Sequence, residues 1–422
     1  MSGNAAAELL VGFEGRLVGV ITNDVATGLM RFRYAPDWLT QSDGFPISSS
    51  LPLSAETYAE AGHGFFANLL PEGMVRHRLT QQLGISEDND FALLQAIGGE
   101  CAGALVVGTA DQIAEESSPP DYEPVTLPAL AMLARERGAL PTLAGKRGLR
   151  LSLAGAQDKV PVYVESGRYF LPRGKAASTH ILKFNRRDFK HLPDNEVLVS
   201  LFAHVLEIPH ARTSLLREGR QTLCLVERYD RIRQAGGRVR RLHQEDLCQA
   251  LGIGPRRKYE SEGGPSFLEC YELVRRQSIS PLADAAALLR WLVMNLLACN
   301  ADAHAKNVSL LLQPQVRLAP FYDLVCTRAY RSLDRGLAMT IDGESDAGKI
   351  GRRHWLALAE RLDVKAGFVL DVVAQLCEVA PTAAQAAAKH FVGLYGNSPA
   401  IGMVLPAIHK QARRTTQLLR QG

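Results

Sequence analysis

The sequence predicts a mixed α/β (α+β) chain of two lobes, with an N-terminal α/β subdomain and an all-helical C-terminal lobe. Three observations carry that prediction. Strand-like alternation fills residues 9–34 and returns between 149 and 227. Beyond Arg353 apolar residues recur almost continuously at helical spacing. Between these regions an apolar run, a polar loop and a short hairpin lead from one carboxylate to another.

The N-terminal strands are LLVGFEGRLVGVI and GLMRFRY, with Gly15 and Gly28 at turn positions. GFFANLLPE (64–72) opens a helical region that runs past Arg76 and Arg78 to Gly84, and Phe91–Ile97 is a further short helix. The cluster Gly98-Gly99-Glu100-Cys101-Ala102-Gly103 reads as a tight turn before a strand at Ala104–Val107, a phosphate cradle being the alternative. The acidic, proline-bearing stretch 110–125 reads as a surface linker, followed by a helix near Ala129–Arg137.

Leu149–Leu153 is a candidate strand, Ala154-Gly155-Ala156-Gln157 a small-residue turn, and Val160–Glu165 with Arg168–Leu171 a hairpin across Ser166-Gly167. Such a strand–turn–strand lays backbone N–H groups over phosphates, although no G-x-G-x-x-G is present. His180–Asn185 is a strand carrying Lys183 among Ile181, Leu182 and Phe184. A buried lysine needs a partner, and Glu196 at the start of the next helix is the candidate; an edge lysine with its ammonium in water is the plain alternative. The strand Gln221–Glu227 ends in Arg228-Tyr229-Asp230-Arg231, where Glu227, Arg228 and Tyr229 are placed to meet an adenine or simply form an exposed turn. RIRQAGGRVRR (231–241) is a basic hairpin, either a solvated face or a dock for an acidic partner or nucleic acid. From His243 the pattern turns helical, interrupted by the polar loops Lys258–Ser266 and 344–349.

The chemistry concentrates in LLRWLVMNLLACNADAHAKNVSLLLQPQVRLAPFYDL. The apolar run Leu288–Cys299 is broken by Arg290 and Asn295, which makes it a buried helix and not a membrane span. Val308–Leu312 and Val316–Ala319 form a hairpin that returns Asp323 to the loop. Protein kinases place a base Asp and a metal-binding Asn in D-x-x-x-x-N, then a second metal-binding Asp after a hairpin. Asp302, Asn307 and Asp323 stand in that order, so Asp302 is the candidate base and Asn307 and Asp323 the candidate Mg²⁺ ligands, with His304 and Lys306 beside the nucleotide. Alternatives are ordinary loop residues, or a transition-metal site from Asp302, His304 and Asp323.

The net charge of +4 is small for 422 residues and does not mark a nucleic-acid binder. Seven scattered cysteines without a C-x-x-C imply buried free thiols in a reducing cytosol. Neither a signal peptide nor a membrane span is read, so a cytoplasmic location is expected. The expected divisions are an N-terminal subdomain (1–110), a linker and helix (111–148), a small lobe (149–230) and a helical large lobe (231–422).

GFFANLLPEG, IGGECAGAL, RLSLAGAQDK, THILKF, DNE, VERYDR, LHQEDLCQALG, KYESEGGP, NADAHAKN and PFYDL together resemble the HipA family of bacterial toxin serine/threonine kinases, in the family's order and over nearly the whole chain. The resemblance implies a two-lobed, protein-kinase-like fold, ATP and Mg²⁺ as cofactors, and Asp302 as catalytic base with Asn307 and Asp323 on the metal. It further implies Lys183 on the ATP phosphates, Glu227–Tyr229 at the adenine, and Ser152 as an inactivating autophosphorylation site. Implied partners are a HipB-like helix-turn-helix antitoxin, which alone would bring the chain to DNA, and a protein substrate such as an aminoacyl-tRNA synthetase. Alternatives are a catalytically weak co-repressor acting with the antitoxin, and a small-molecule kinase.

Overall fold

The computed structural model describes residues 7–114, 120–133, 143, 154–155, 157–174, 176–186 and 188–421. Two compact units form: Met1–Phe184 with Glu227–Arg256, and Asn185–Val226 with Arg257–Gly422.

In the first unit an antiparallel sheet has the strand order Thr57–Tyr58, Met30–Tyr34, Arg16–Asn23, Glu8–Phe13, Val106–Gly108. The period-two pattern decides its faces. Met30, Phe32 and Tyr34 are buried while Arg31 and Arg33 between them are exposed. Gly15 and Gly28 take positive φ at the connecting turns, as the sequence predicts. The helix Glu60–Ala67 covers this sheet, with the Phe66 ring 5.4 Å from that of Phe32.

The helical region expected from residue 64 to Gly84 is two helices, Glu60–Ala67 and Gly73–Leu83. The break falls at Pro71, which makes a parallel bridge with Gly155 instead of continuing the helix. The stretch expected to be linker is also partly ordered: Asp121–Val125 is a strand paired with Arg168–Arg173. Its acidic and proline content hides a structural residue, Tyr122, which stacks on Tyr163 at 4.2 Å and donates to Ala177 O. The sheet continues through Lys159–Glu165 to His180–Phe184, so the hairpin across Ser166-Gly167 forms where predicted. The candidate strand Leu149–Leu153 lies outside the described residues.

Glu245 ties the loop after Ile47 to the segment 244–250. Its fully buried carboxylate accepts from Ser48 Oγ (2.5 Å), Ser49 N (3.1 Å) and Ser49 Oγ (2.7 Å). Burial pushes this carboxyl up to about 7, against the pull of the serine hydrogen bonds. A carboxyl whose pKa is higher folded than unfolded takes up a proton on folding, so stability falls as pH rises from about 4.5 to about 7. That shift corresponds to roughly 3 kcal/mol at 1.36 kcal/mol per unit. Chemical denaturation at pH 5 and pH 8 should show that loss in the wild type and a much flatter profile in Glu245→Gln. Equal pH dependence in both proteins overturns the assignment.

The second unit is mostly helical. Its helices are Leu192–Val205, Phe267–Gln277, Pro281–Ala298, Arg352–Arg361, Ala366–Tyr395 and Pro399–Arg420, with hairpins at Thr213–Glu218/Gln221–Glu227 and Ser309–Leu311/Arg317–Leu318. Ser266 starts Phe267–Gln277 through a reciprocal capping box with Glu269. Ala380, Ala383, Ala384, Ala387 and Ala388 present small buried side chains on Ala366–Tyr395, which packs against Leu192–Val205 and Pro399–Arg420. By length and hydropathy Pro281–Ala298 and Ala366–Tyr395 match membrane spans, but two thirds of the first is buried inside this unit, as a core helix is. All seven cysteines are free and buried, as expected.

Candidate active site

The helix Pro281–Ala298 delivers the loop that carries Asp302, and a set of side-chain amides and one hydroxyl fixes that loop. Asn295, in the last turn of the helix, donates to Trp291 O and accepts from Asn300 Nδ2, both at 2.8 Å. Asn300 Oδ1 accepts from Asp302 N at 3.1 Å. Across the loop, Thr327 Oγ1 accepts from Ala301 N (2.8 Å) and donates to Cys299 O (2.9 Å). Asn307 closes the turn, its Nδ2 donating to Asp302 O at 2.8 Å. Base and metal-ligand candidates are therefore tied together by one amide.

The Asp302 side chain is 48 % exposed and accepts a hydrogen bond from the Tyr259 hydroxyl. His304 is buried, with Nε2 3.6 Å from Asp302 Oδ1. Lys306 is buried in the same loop, and its carbonyl accepts from Tyr322 Oη at 2.7 Å. Tyr322 also shares a 2.7 Å hydrogen bond with Ser309 Oγ, which pins the residue before Asp323 to the hairpin. Phe321 stacks on Trp291 at 5.5 Å and exchanges backbone hydrogen bonds with Pro209 and Ala211. Asp323 itself takes a left-handed φ of 55°. For a non-glycine residue this is strained by about 1–3 kcal/mol and persists only where neighbours over-determine it, as these do.

The DNE motif is built into the same unit. Asp194 accepts from Ser398 Oγ at 2.8 Å, and Asn195 clasps Cys326 through both its N–H (2.9 Å) and its carbonyl (3.0 Å). The helix carrying buried Glu196 is thereby locked to the segment just after Asp323.

In the first unit Lys183 is buried in its strand, in register with Lys159 on the neighbouring one. Lys159 Nζ donates to Ala154 O at 2.7 Å and lies against Gly155, where a Cβ would stand 3.0 Å from the ammonium. Gly155 O accepts from Glu72 N, and Gln157 Nε2 donates to Phe184 O at 3.1 Å, so LLPEG and the lysine strand together hold this turn. Ala156 and Ser152 lie outside the described residues.

Glu227 is exposed and Tyr229 half-buried at the strand end. Arg228, expected to lie with them at a nucleotide, instead turns its guanidinium inward. It donates to Asp230 (2.9 and 2.7 Å), Glu100 (3.0 Å), Ser178 Oγ and Cys101 O. The side chain is thus committed to an internal ion cluster. The expected tight turn at Gly98–Gly103 gains its reason from the same cluster, because Gly103 N donates to Asp230 and Glu100 supplies a carboxylate.

By chemistry an amide oxygen and a carboxylate, the groups that Asn307 and Asp323 carry, are the hard donors that suit Mg²⁺. Among the described residues no group of three His, Cys, Asp or Glu gathers for a transition metal, which leaves that alternative without support. Sequence reading missed Tyr259, Asn195, Asn300 and Thr327. Asn195, Tyr259 and Asn300 stand in the motifs DNE, KYESEGGP and NADAHAKN, but nothing local in the sequence showed which partners they hold.

A model of the HipA-like C-terminal domain matches residues 151–384 and one of the HipA N-terminal domain matches residues 9–108. The putative kinase Y4mE of Sinorhizobium fredii is 39 % identical over 411 residues, covering 96 % of this chain and 97 % of its own. The serine/threonine-protein kinase toxin HipA of Shewanella oneidensis is 30 % identical over 380 residues, covering 87 % and 86 %. The solved complex of a Shewanella oneidensis HipA with HipB and operator DNA aligns with a TM-score of 0.84 at 27 % identity, covering 98 % of each chain.

Proposed function

The chain belongs to the HipA family of serine/threonine-protein kinases, and on that premise we propose that it is a toxin that moves the γ-phosphoryl of ATP onto a serine or threonine of a target protein. Asp302 takes the proton of the acceptor hydroxyl as the new O–P bond forms and ADP departs. The observation that supports this best is the single amide of Asn307 joining Asp302 to the metal-ligand position. Asn307 and Asp323 would hold Mg²⁺, which when bound neutralises charge on the phosphates. Lys183 steadies the phosphates, with His304 and Lys306 flanking them, and the backbone of Ala154, Gly155, Ala156 and Gln157 covers them. Glu227 and Tyr229 meet the adenine. Arg228 contributes indirectly, by fixing the strand end they stand on.

The related Shewanella structure contains HipB and operator DNA. By the same logic a HipB-like helix-turn-helix antitoxin neutralises this chain, and DNA is reached only through that partner. An aminoacyl-tRNA synthetase is the proposed target, acted on in the cytoplasm without a membrane. Ser152 is the proposed autophosphorylation site. Phosphate there adds about −1.5 to −2 charge, which an ATP-covering turn would not tolerate beside ATP's own phosphates.

Intact-mass measurement after incubation with ATP and Mg²⁺ tests this directly. The wild type should gain about 80 Da per phosphate, whereas Ser152→Ala and Asp323→Ala should gain none. An Asp323→Ala protein that labels itself at the wild-type rate removes Asp323 from the metal site. A Ser152→Ala protein that still gains mass moves the modification elsewhere.

A further inference from the structure

The polar loop KYESEGGP (258–265) has no role in the function derived so far, yet it is built with care. Glu260 anchors it: its carboxylate accepts from Thr340 Oγ1 at 2.9 Å and from Thr340 N, and its N–H donates to Ala338 O at 3.1 Å. The loop then folds back on its own start. Gly264 N donates to Tyr259 O at 2.9 Å, and a Cβ at 264 would stand 2.3 Å from Arg257 O and 2.7 Å from Tyr259 O. Only glycine fits there, and the tight closure fixes where Tyr259 emerges.

Tyr259 emerges at Asp302. Its hydroxyl donates to Asp302 Oδ1, and its ring meets the His304 ring edge-on, with centroids 5.1 Å apart at 80°. His304 Nε2 faces the same oxygen from 3.6 Å, and Lys258 Nζ lies 5.4 Å from the Tyr259 ring centroid. Tyr259 and His304 thus both address Oδ1 of this carboxylate.

We propose that Tyr259 is a positioning residue for the catalytic base, holding Asp302 by Oδ1 so that Oδ2 is aimed at the hydroxyl whose proton it takes. The proton passes from the serine or threonine hydroxyl to Oδ2, the hydroxyl oxygen bonds to the γ-phosphorus, and the bond from that phosphorus to the β-phosphate oxygen breaks. Tyr259 stays protonated throughout. A freely rotating, half-exposed carboxylate would sample several orientations, and a base must lie within hydrogen-bond reach of the proton it removes.

The inference rests on Asp302 being the base, and the test separates the two. Tyr259→Phe keeps the ring against His304 and removes only the hydroxyl. With [γ-³²P]ATP and Mg²⁺, self-labelling should slow about tenfold or more while the KM for ATP stays unchanged, as expected for a lost hydrogen bond to a charged group that does not touch the nucleotide. A merely structural Tyr259 would move the KM for ATP or the melting temperature along with the rate. If Asp302→Asn is inactive but Tyr259→Phe labels at or above the wild-type rate, the positioning role is wrong; a faster Tyr259→Phe would mark the hydroxyl as a plug. If Asp302→Asn itself retains activity, the base assignment fails first.

Discussion

Asp302→Asn should cut phosphoryl transfer by about a hundredfold or more while leaving the protein as stable as the wild type. The two halves of that outcome have separate causes. The Asp302 side chain is 48 % exposed, and the hydrogen bonds that shape its loop involve its backbone: Asn300 on its N–H, and Asn307 and His304 on its carbonyl. Asparagine keeps every one of those and still offers Oδ1 to the Tyr259 hydroxyl, so the melting temperature should not move measurably. What asparagine lacks is a site for the acceptor proton. General-base catalysis contributes about 10²–10⁴-fold, and labelling with [γ-³²P]ATP should fall by at least that lower bound. Nucleotide affinity should be retained, since Mg²⁺ and phosphates are assigned to other residues. A variant that folds, binds ATP and still transfers phosphate at the wild-type rate sinks the mechanism.

The sequence made legible those features that are local in the chain. Period-two alternation gave Glu8–Phe13, Arg16–Asn23 and Met30–Tyr34, and the hairpin that precedes Asp323 formed from its own strand signals. The D-x-x-x-x-N spacing was visible because one short turn contains it. Features that depend on distant partners stayed hidden. Asp121–Val125 looks like linker until Arg168–Arg173 supplies its ladder, and the break before Gly73 is settled by Gly155, far along the chain. Arg290 and Asn295 were read only as interruptions of an apolar run. In the fold Asn295 is the first link in the amide chain that sets Asp302, and Arg290 caps Leu206 O at 2.8 Å. Arg228 looked like a nucleotide contact because it stands in VERYDR, yet that motif is half structural. Its Arg228, Asp230 and Arg231 face inward and its Glu227 and Tyr229 do not.

Those inward charges should prove the most sensitive stability point in the first unit. Glu100 is 1 % exposed and receives Arg228 (3.0 Å), Arg231 (3.0 Å), Arg241 and the Ser178 hydroxyl (2.7 Å). Asp230 receives Arg228 (2.7 Å) and Arg231 (2.8 Å). Two carboxylates thus serve three guanidiniums in the interior. Burial pushes the Glu100 carboxyl up, but Arg241, Arg231 and Arg228 outweigh it and bring it down to about 2. Glu100→Gln keeps the volume and removes the negative charge that Arg228, Arg231 and Arg241 share, leaving Asp230 to face Arg228 and Arg231. Breaking a buried pair in this way costs about 3–5 kcal/mol, because the stranded charge has no water to return to. By linkage, a carboxyl lowered from 4.5 to about 2 corresponds to a similar roughly 3 kcal/mol. The sign follows from the direction of the shift. The Glu100 contribution is complete above about pH 4.5 and is lost as pH falls through about 2, so the deficit of Glu100→Gln should be full at pH 7 and shrink on acidification. In a melt at pH 7 the first transition should drop by about 10 °C. A drop below about 1 °C would mean the arginines find other partners, and the cluster would then be a bystander to the stability of this unit.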